Sequence, residues 1–299
     1  MTGMAITSAQ SATIGRRQSA LGLAGHVVFR ALTYALMILL AVVFLFPFYM
    51  MVVGSFMPLN ELFSFTPNLW PQHLTFDNYT ELFKQFAYLR YLMNSFALAA
   101  GQTAGVVFFC SLAGFVFAKR QFPGRDALFL VMLVTLMIPG QSTIIPWYLL
   151  MAQLGWLNTF LPLWIPFWAP AFGIFLMRQF IASTIPTELL DAATTDGCSL
   201  FGLYWRIVVP IMLPAITILA LLNFITAWND FLYSLLVFNS DEMRTAPLAL
   251  ALFLGSSTTT PQYTWLFAGS VLATLPLVVL YFLFQRQLME GIMSGALKG

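Results

Sequence analysis

Charge is scarce in this chain. Of 299 residues only 8% are charged, against about 25% in a soluble domain. The hydrophobic share is 60% and the mean hydropathy is +0.85, so the composition is that of a membrane protein. The net charge of +2 is too small to point to a nucleic-acid partner. Lysines are few as well. Lys84, Lys119 and Lys298 are the three, and none follows Gly and precedes Ser or Thr. A phosphate-binding loop is therefore excluded, and with it nucleotide hydrolysis by this chain. There is no Gly-rich dinucleotide motif, no Ser/His/Asp set and no metal-ligand cluster, so neither an enzymatic reaction nor a cofactor is expected. His26 and His73 stand alone near membrane ends. The two cysteines, Cys110 and Cys198, fall on different levels and form no disulfide, zinc or haem spacing.

What remains is a series of long apolar runs. A hydrocarbon core of about 30 Å needs about 20 residues of helix. Runs at 31–56, 92–118, 127–151, 160–177, 211–238 and 265–284 predict six transmembrane helices in an all-α integral membrane fold. The first is too long for a signal-peptide core, and no small-residue cleavage site follows it. Pro47 should bend it, and Pro139-Gly140 and Pro146 should break the third. Pro162, Pro166 and Pro170 recur every fourth residue and should stripe one face of the fourth. Residues 1–25, polar and rich in Ser, Ala and Gly, read as a disordered arm. Residues 57–91 and 239–264 read as external segments, with a short helix over 78–86, and residues 286–299 as a C-terminal tail around a 26–285 transmembrane domain.

Orientation follows from the cations. Ten of the 13 Lys and Arg residues fall on one side of this topology: Arg16, Arg17, Arg30, Lys119, Arg120, Arg125, Arg178, Arg206, Arg286 and Lys298. Only Lys84, Arg90 and Arg244 fall on the other. The positive-inside rule then puts both termini and the 179–210 loop in the cytoplasm.

That loop is the one soluble-looking stretch between apolar spans. Pro186 suits the start of a helix, with Glu188 and Asp191 near its positive end. Leu189 and Ala193 share one face, while Glu188, Asp191 and Thr195 share another. Asp196-Gly197 ends the helix, since Gly takes the left-handed conformation without penalty. A second short helix should run from Leu200 to Val209, before Pro210 opens the next apolar run.

The residues Asp191-Ala192-Ala193, Gly197, Ile207 and Val209-Pro210 are spaced as in the EAA loop of ABC importer permeases, which this loop resembles. Asp191 stands where that family usually has Glu, and Val209 where it usually has Leu. Both keep the chemical type. Three further stretches resemble the maltose-type, carbohydrate-importing branch: Ile138-Pro139-Gly140-Gln141 with Ile145-Pro146, Trp228-Asn229-Asp230-Phe231, and the tail from Gln285-Arg286 to Gly299. The resemblance covers roughly residues 30 to 299. It implies a type I ABC importer permease fold in the bacterial inner membrane, and a sugar or oligosaccharide as solute.

It also implies partners and residue roles. A cytoplasmic ATPase dimer would grip the loop at Glu188, Leu189, Asp191, Ala192, Ala193, Asp196, Gly197, Ile207 and Pro210, as a helix in a groove. A second, homologous permease and an external solute-binding protein are expected, the latter near Gly255-Ser256-Ser257-Thr258-Thr259-Thr260, unless that loop is only a linker. The tail could place Lys298 between the ATPase subunits, or be simply solvated.

The translocation path is expected from intramembrane polar residues and from the resemblance. Asn94, Gln102, Gln141 and Asn223 offer amides for a hydroxyl-rich solute, or else join helices. Asn223, 13 residues beyond Pro210, falls near mid-membrane. Trp228, Asn229 and Asp230 fall close to the outer surface, where Trp228 fits an aromatic belt and the resemblance gives the string a part in the external end of the path. The alternative class is a self-sufficient secondary transporter or channel, which needs an ion-coupling site; no mid-membrane acid or convincing inverted repeat supplies one.

Overall fold

A computed structural model describes residues 4–64, 68–255 and 263–296, with side chains described for 26, 29–64, 68–254 and 263–287. Among these residues the fold is helical throughout, without a strand. Four helices are long and apolar enough to cross a membrane, or six if two bent pairs each count as one span.

The helix α1 (Met4–Ser55) holds Pro47 and leaves most side chains from 29 to 52 exposed. Its backbone is helical well into the arm expected to be disordered. No proline interrupts residues 4–25, where Ala, Gln, Leu and Arg favour helix. The segment expected to lie outside the membrane then folds into a cap. It contains α2 (Leu59–Leu62) and α3 (Asp77–Gln85), the latter within a residue of expectation. Buried Asn78 donates its amide to the carbonyls of Ser55 and Met57, at 2.9 and 2.8 Å, closing the end of α1. Buried Glu61 accepts the backbone N–H groups of Gln72 and His73.

Next, α4 (Tyr88–Lys119) runs through the middle of the fold. Its Gly101 and Gly105 form a seat for two indoles. Trp164 donates to the Leu98 carbonyl at 3.1 Å and Trp168 to the Gly101 carbonyl at 3.2 Å. A Cβ on Gly105 would come within 1.8 Å of Trp168.

The third span is broken at Pro139-Gly140 as expected, whereas Pro146 lies inside the first turn of a helix and does not interrupt it. α5 (Arg125–Thr135) meets a 3₁₀ turn at Gly140–Thr143 and α6 (Ile144–Gln153) at an angle of 93°. The fourth differs from expectation. It consists of α7 (Leu161–Trp164), a 3₁₀ turn and α8 (Ala171–Thr184), bent by 40°. Pro170 has extended backbone and ends the first half, so the three prolines do not stripe one continuous helix face. Proline lacks the N–H that the helix ladder needs there.

α9 (Thr187–Thr195) and α10 (Leu200–Leu203) form the central loop. A π turn at Tyr204–Val208 joins α10 to α11 (Val209–Trp228). The expected second short helix is thus fused to the fifth span, which runs from Leu200 to Trp228 instead of 211–238. Pro210 does not interrupt it, because the wider turn precedes it and its own missing N–H falls in the first turn of α11. Past Asn229, α12 (Leu232–Val237) is separate. α13 (Ala246–Gly255) packs on α14 (Tyr263–Ala296), which carries Pro276 and continues as helix into the tail. Asn158, with φ +60°, accepts from Asn239 and Ser240, tying the turn before α7 to the stretch of chain after α12. Residues 256–262, including the Ser256–Thr260 part of the loop assigned to a binding protein, and Lys298 lie outside the described residues.

Candidate functional site

The knuckle between α8 and α11 is built by three local devices. Glu188 lies in the first turn of α9, where negative charge is favoured. At its other end the N–H of Gly197 donates to the Thr194 carbonyl and that of Cys198 to Ala193, both at 3.0 Å. With Gly197 at φ +84°, this is a Schellman ending. Ser199 then caps α10, its Oγ accepting from the Gly202 N–H at 3.2 Å.

Exposure divides the knuckle into anchor and contact face. Leu190 is 6% exposed and Leu189 42%. Leu190, with half-buried Ala193 three positions on, anchors α9. The expected Leu189–Ala193 face is therefore corrected by one residue: Leu189 points outward, because the i, i+3 pair is the one that meets the core. Glu188, Leu189, Asp191, Ala192, Asp196 and Gly197 together form the exposed surface. Ile207 is packed against the core in the π turn, and Pro210 is exposed at the start of α11, so both stand beyond the knuckle proper.

The anchor is continuous with the transmembrane core. Leu190, Leu203, Tyr204 and Val208 pack in one cluster with Phe115 of α4 and Met177 and Ile181 of α8. Tyr204 Oη lies 2.6 Å from Ser111 Oγ of α4, in a buried pair. A leucine of this kind contributes about 1.5–3 kcal/mol by burial. α9 is thus joined by close packing to α4, α8 and α11. Neither Leu190 nor Tyr204 was singled out from the sequence; the Leu190/Ala193 spacing carried a signal, while Tyr204 carried none.

A second locus is a cavity of about 100 Å³ between α4, α7 and the α11–α12 junction. Gln102, Thr226, Asp230 and Tyr233 supply polar groups and Phe167 an aromatic wall. Of the residues expected on the path, only Gln102 and Asp230 line it. Asp230 Oδ2 accepts from the Ser234 N–H and hydroxyl, each at 2.8 Å, and so caps α12. Trp228 is buried, stacks on Phe224 and donates to the Ala273 carbonyl at 3.1 Å. It joins α11 to α14 and does not line this cavity. The Asn229 amide returns to the Ile225 carbonyl at 2.8 Å. Asn223 donates to Thr103 Oγ1 at 3.1 Å, linking α11 to α4. Gln141 is exposed in the 3₁₀ turn of the third span.

Residues 110–293 match the family described as binding-protein-dependent transport system inner membrane component. The chain is 34% identical over 275 residues to the arabinooligosaccharides transport system permease protein AraQ of Bacillus subtilis, covering 91% of this chain and 97% of that protein. It is 32% identical to the lactose transport system permease protein LacG of Rhizobium radiobacter, with 88% and 94% covered. In fold it is similar to a chain of a bacterial ABC transporter involved in the import of the acidic polysaccharide alginate. The TM-score there is 0.77 at 22% identity, over 87% of this chain and 96% of that one.

Proposed function

This chain belongs to the family of binding-protein-dependent transport system inner membrane components, and we propose that it couples a separate ATPase to sugar import through the α9 knuckle. It is the permease subunit of an ABC importer and a multi-pass protein of the inner membrane. Family membership implies an ATPase and a solute-binding protein as partners. The solute is a sugar or oligosaccharide, as the names of its relatives are consistent with. A second, homologous permease completes the pathway, and ATP hydrolysis belongs to the partner chain.

One observation carries the coupling role. The exposed surface of Glu188, Leu189, Asp191 and Ala192 stands on a buried anchor, Leu190, that is packed into the same cluster as α4, α8 and α11. An ATPase groove takes the outer face, and closure of the ATPase dimer pulls the helix as a rigid lever. The core then turns the cavity from inward-facing to outward-facing. The binding protein releases solute into it, and hydrolysis resets the assembly. Asp230 and Gln102 offer hydrogen bonds to hydroxyls along that route.

Co-reconstitution tests this reading. In proteoliposomes holding the purified chain, its co-purifying permease and ATPase, and the binding protein, labelled sugar should enter only with ATP. Uptake by the chain alone down an ion gradient, or failure of any ATPase to co-purify, would overturn it.

A further inference from the structure

Four basic residues gather where α4 ends and α5 begins, with α8 beside them: Lys119, Arg120, Arg125 and Arg178. The helices are held together there by aromatic contacts. Phe117 of α4 packs on Phe122 and Phe129, and the Arg178 guanidinium lies 4.1 Å from the centre of the Phe129 ring. Arg178 is also near enough to Asp126 to act on its charge.

The cations are partly withdrawn from solvent. None of the four is fully exposed, and the Arg125 side chain is only 19% exposed. Arg120 Nε is shut off from solvent without an acceptor among the described residues. The carboxylate that opposes the cluster is Asp126, whose side chain is 80% exposed and bonded to Arg125 Nε at 2.9 Å. Arg120 Nε is out of reach of an outside ligand, but the other N–H groups of that guanidinium are not closed off, and such groups pair best with a carboxylate or phosphate. Next to this charge, Leu128, Leu130, Val131 and Val134 of α5 are exposed in an apolar strip.

We propose that this cluster holds the phosphate of an anionic phospholipid, with its acyl chains laid along the exposed side of α5. The polar requirement and the apolar strip adjoin, and an amphiphile with a negatively charged head meets both. A partner's carboxylate or a free phosphate would pair with the cations alone, without using the strip beside them.

Native mass spectrometry of the full chain from nanodiscs tests the site. The discs contain phosphatidylcholine mixed with phosphatidylglycerol. The natural chain should retain phosphatidylglycerol preferentially, and Arg120→Gln with Arg178→Gln should cut the preference about twenty-five-fold, each cation contributing about fivefold at an anionic surface. Asp126→Asn, which removes the opposing charge, should strengthen retention, an effect that misfolding does not produce. Equal retention by the natural chain and the double variant, or an Asp126→Asn variant no better than the natural chain, would overturn the site. Competition by inorganic phosphate as effective as by lipid would overturn the lipid assignment. So would loss of a protein partner in the double variant with lipid retention unchanged.

Discussion

Tyr204 Oη and Ser111 Oγ lie 2.6 Å apart in a buried pair that joins the root of the α9 knuckle to the C-terminal part of α4. Ser111 also reaches the Val107 and Phe108 carbonyls of its own helix. Removing the phenolic hydroxyl therefore leaves the serine satisfied. Tyr204→Phe should cost only about 0.5–1.5 kcal/mol of stability, because the ring packing against Phe115 remains. Its larger effect should be on coupling, with less sugar imported per ATP hydrolysed. Thermal melting and a transport-to-hydrolysis ratio measure the two separately. An unchanged ratio would take this contact out of the lever.

Gly197 makes a sharper test of the knuckle's shape. At φ +84° the helix ending is open to added atoms, since a Cβ placed there would meet nothing within 4 Å. Gly197→Ala therefore meets only backbone strain, about 1–2 kcal/mol, and should reduce uptake partially. Gly197→Pro fixes φ near −65° and removes the N–H that bonds Thr194, so uptake should vanish. Immunoblots of membrane fractions should show both variants inserted. Normal uptake by the proline variant would end the coupling assignment.

Anchor and contact face should fail in different ways. Leu190→Ala opens a cavity and should cost about 2–5 kcal/mol, seen as a lower melting temperature. Asp191→Lys changes an exposed residue and should leave melting within about 0.5 kcal/mol, yet abolish uptake by repelling the ATPase. Co-purification with the ATPase reads the second directly. Should Asp191→Lys retain its ATPase, docking lies elsewhere.

The sequence carried the spans and the knuckle for different reasons than it carried the path. Apolar runs of about 20 residues are a one-dimensional signal, and Gly197 announces a helix end on its own. The breaks at Pro139-Gly140 were equally readable. The role of Pro170 is hidden in the sequence, because a proline at every fourth position resembles a stripe until one of them ends the helix. Trp228 and Asn223 were readable only as polar groups in an apolar span. Whether each faces a cavity or a neighbour depends on the rotation of α11 against α4 and α14, which pairwise packing decides. Leu190 differs from Leu189 by one position, and only the core on one side of α9 chooses between them.

Asn223 and Thr103 are joined across α11 and α4. If the bond acts as helix glue, Asn223→Leu and Thr103→Val should each cost about 0.6 kcal/mol, with the double variant no worse than either. A shift in the sugar dependence of uptake for Asn223→Leu but not for Thr103→Val would return Asn223 to the path.

Asp230 has two jobs that substitution can separate. One carboxylate oxygen caps α12 through Ser234, while the side chain also borders the cavity with Gln102 and Tyr233. Asp230→Asn keeps an acceptor for the cap and should preserve melting, whereas Asp230→Ala leaves the Ser234 N–H without its partner and should cost about 0.5–2 kcal/mol. If the cavity is on the solute route, both variants should alter the half-saturating sugar concentration, including the stable Asn variant. Its stability then rules out damage to α12 as the cause. Wild-type uptake by Asp230→Asn at every sugar concentration would reduce Asp230 to a helix cap and move the route elsewhere.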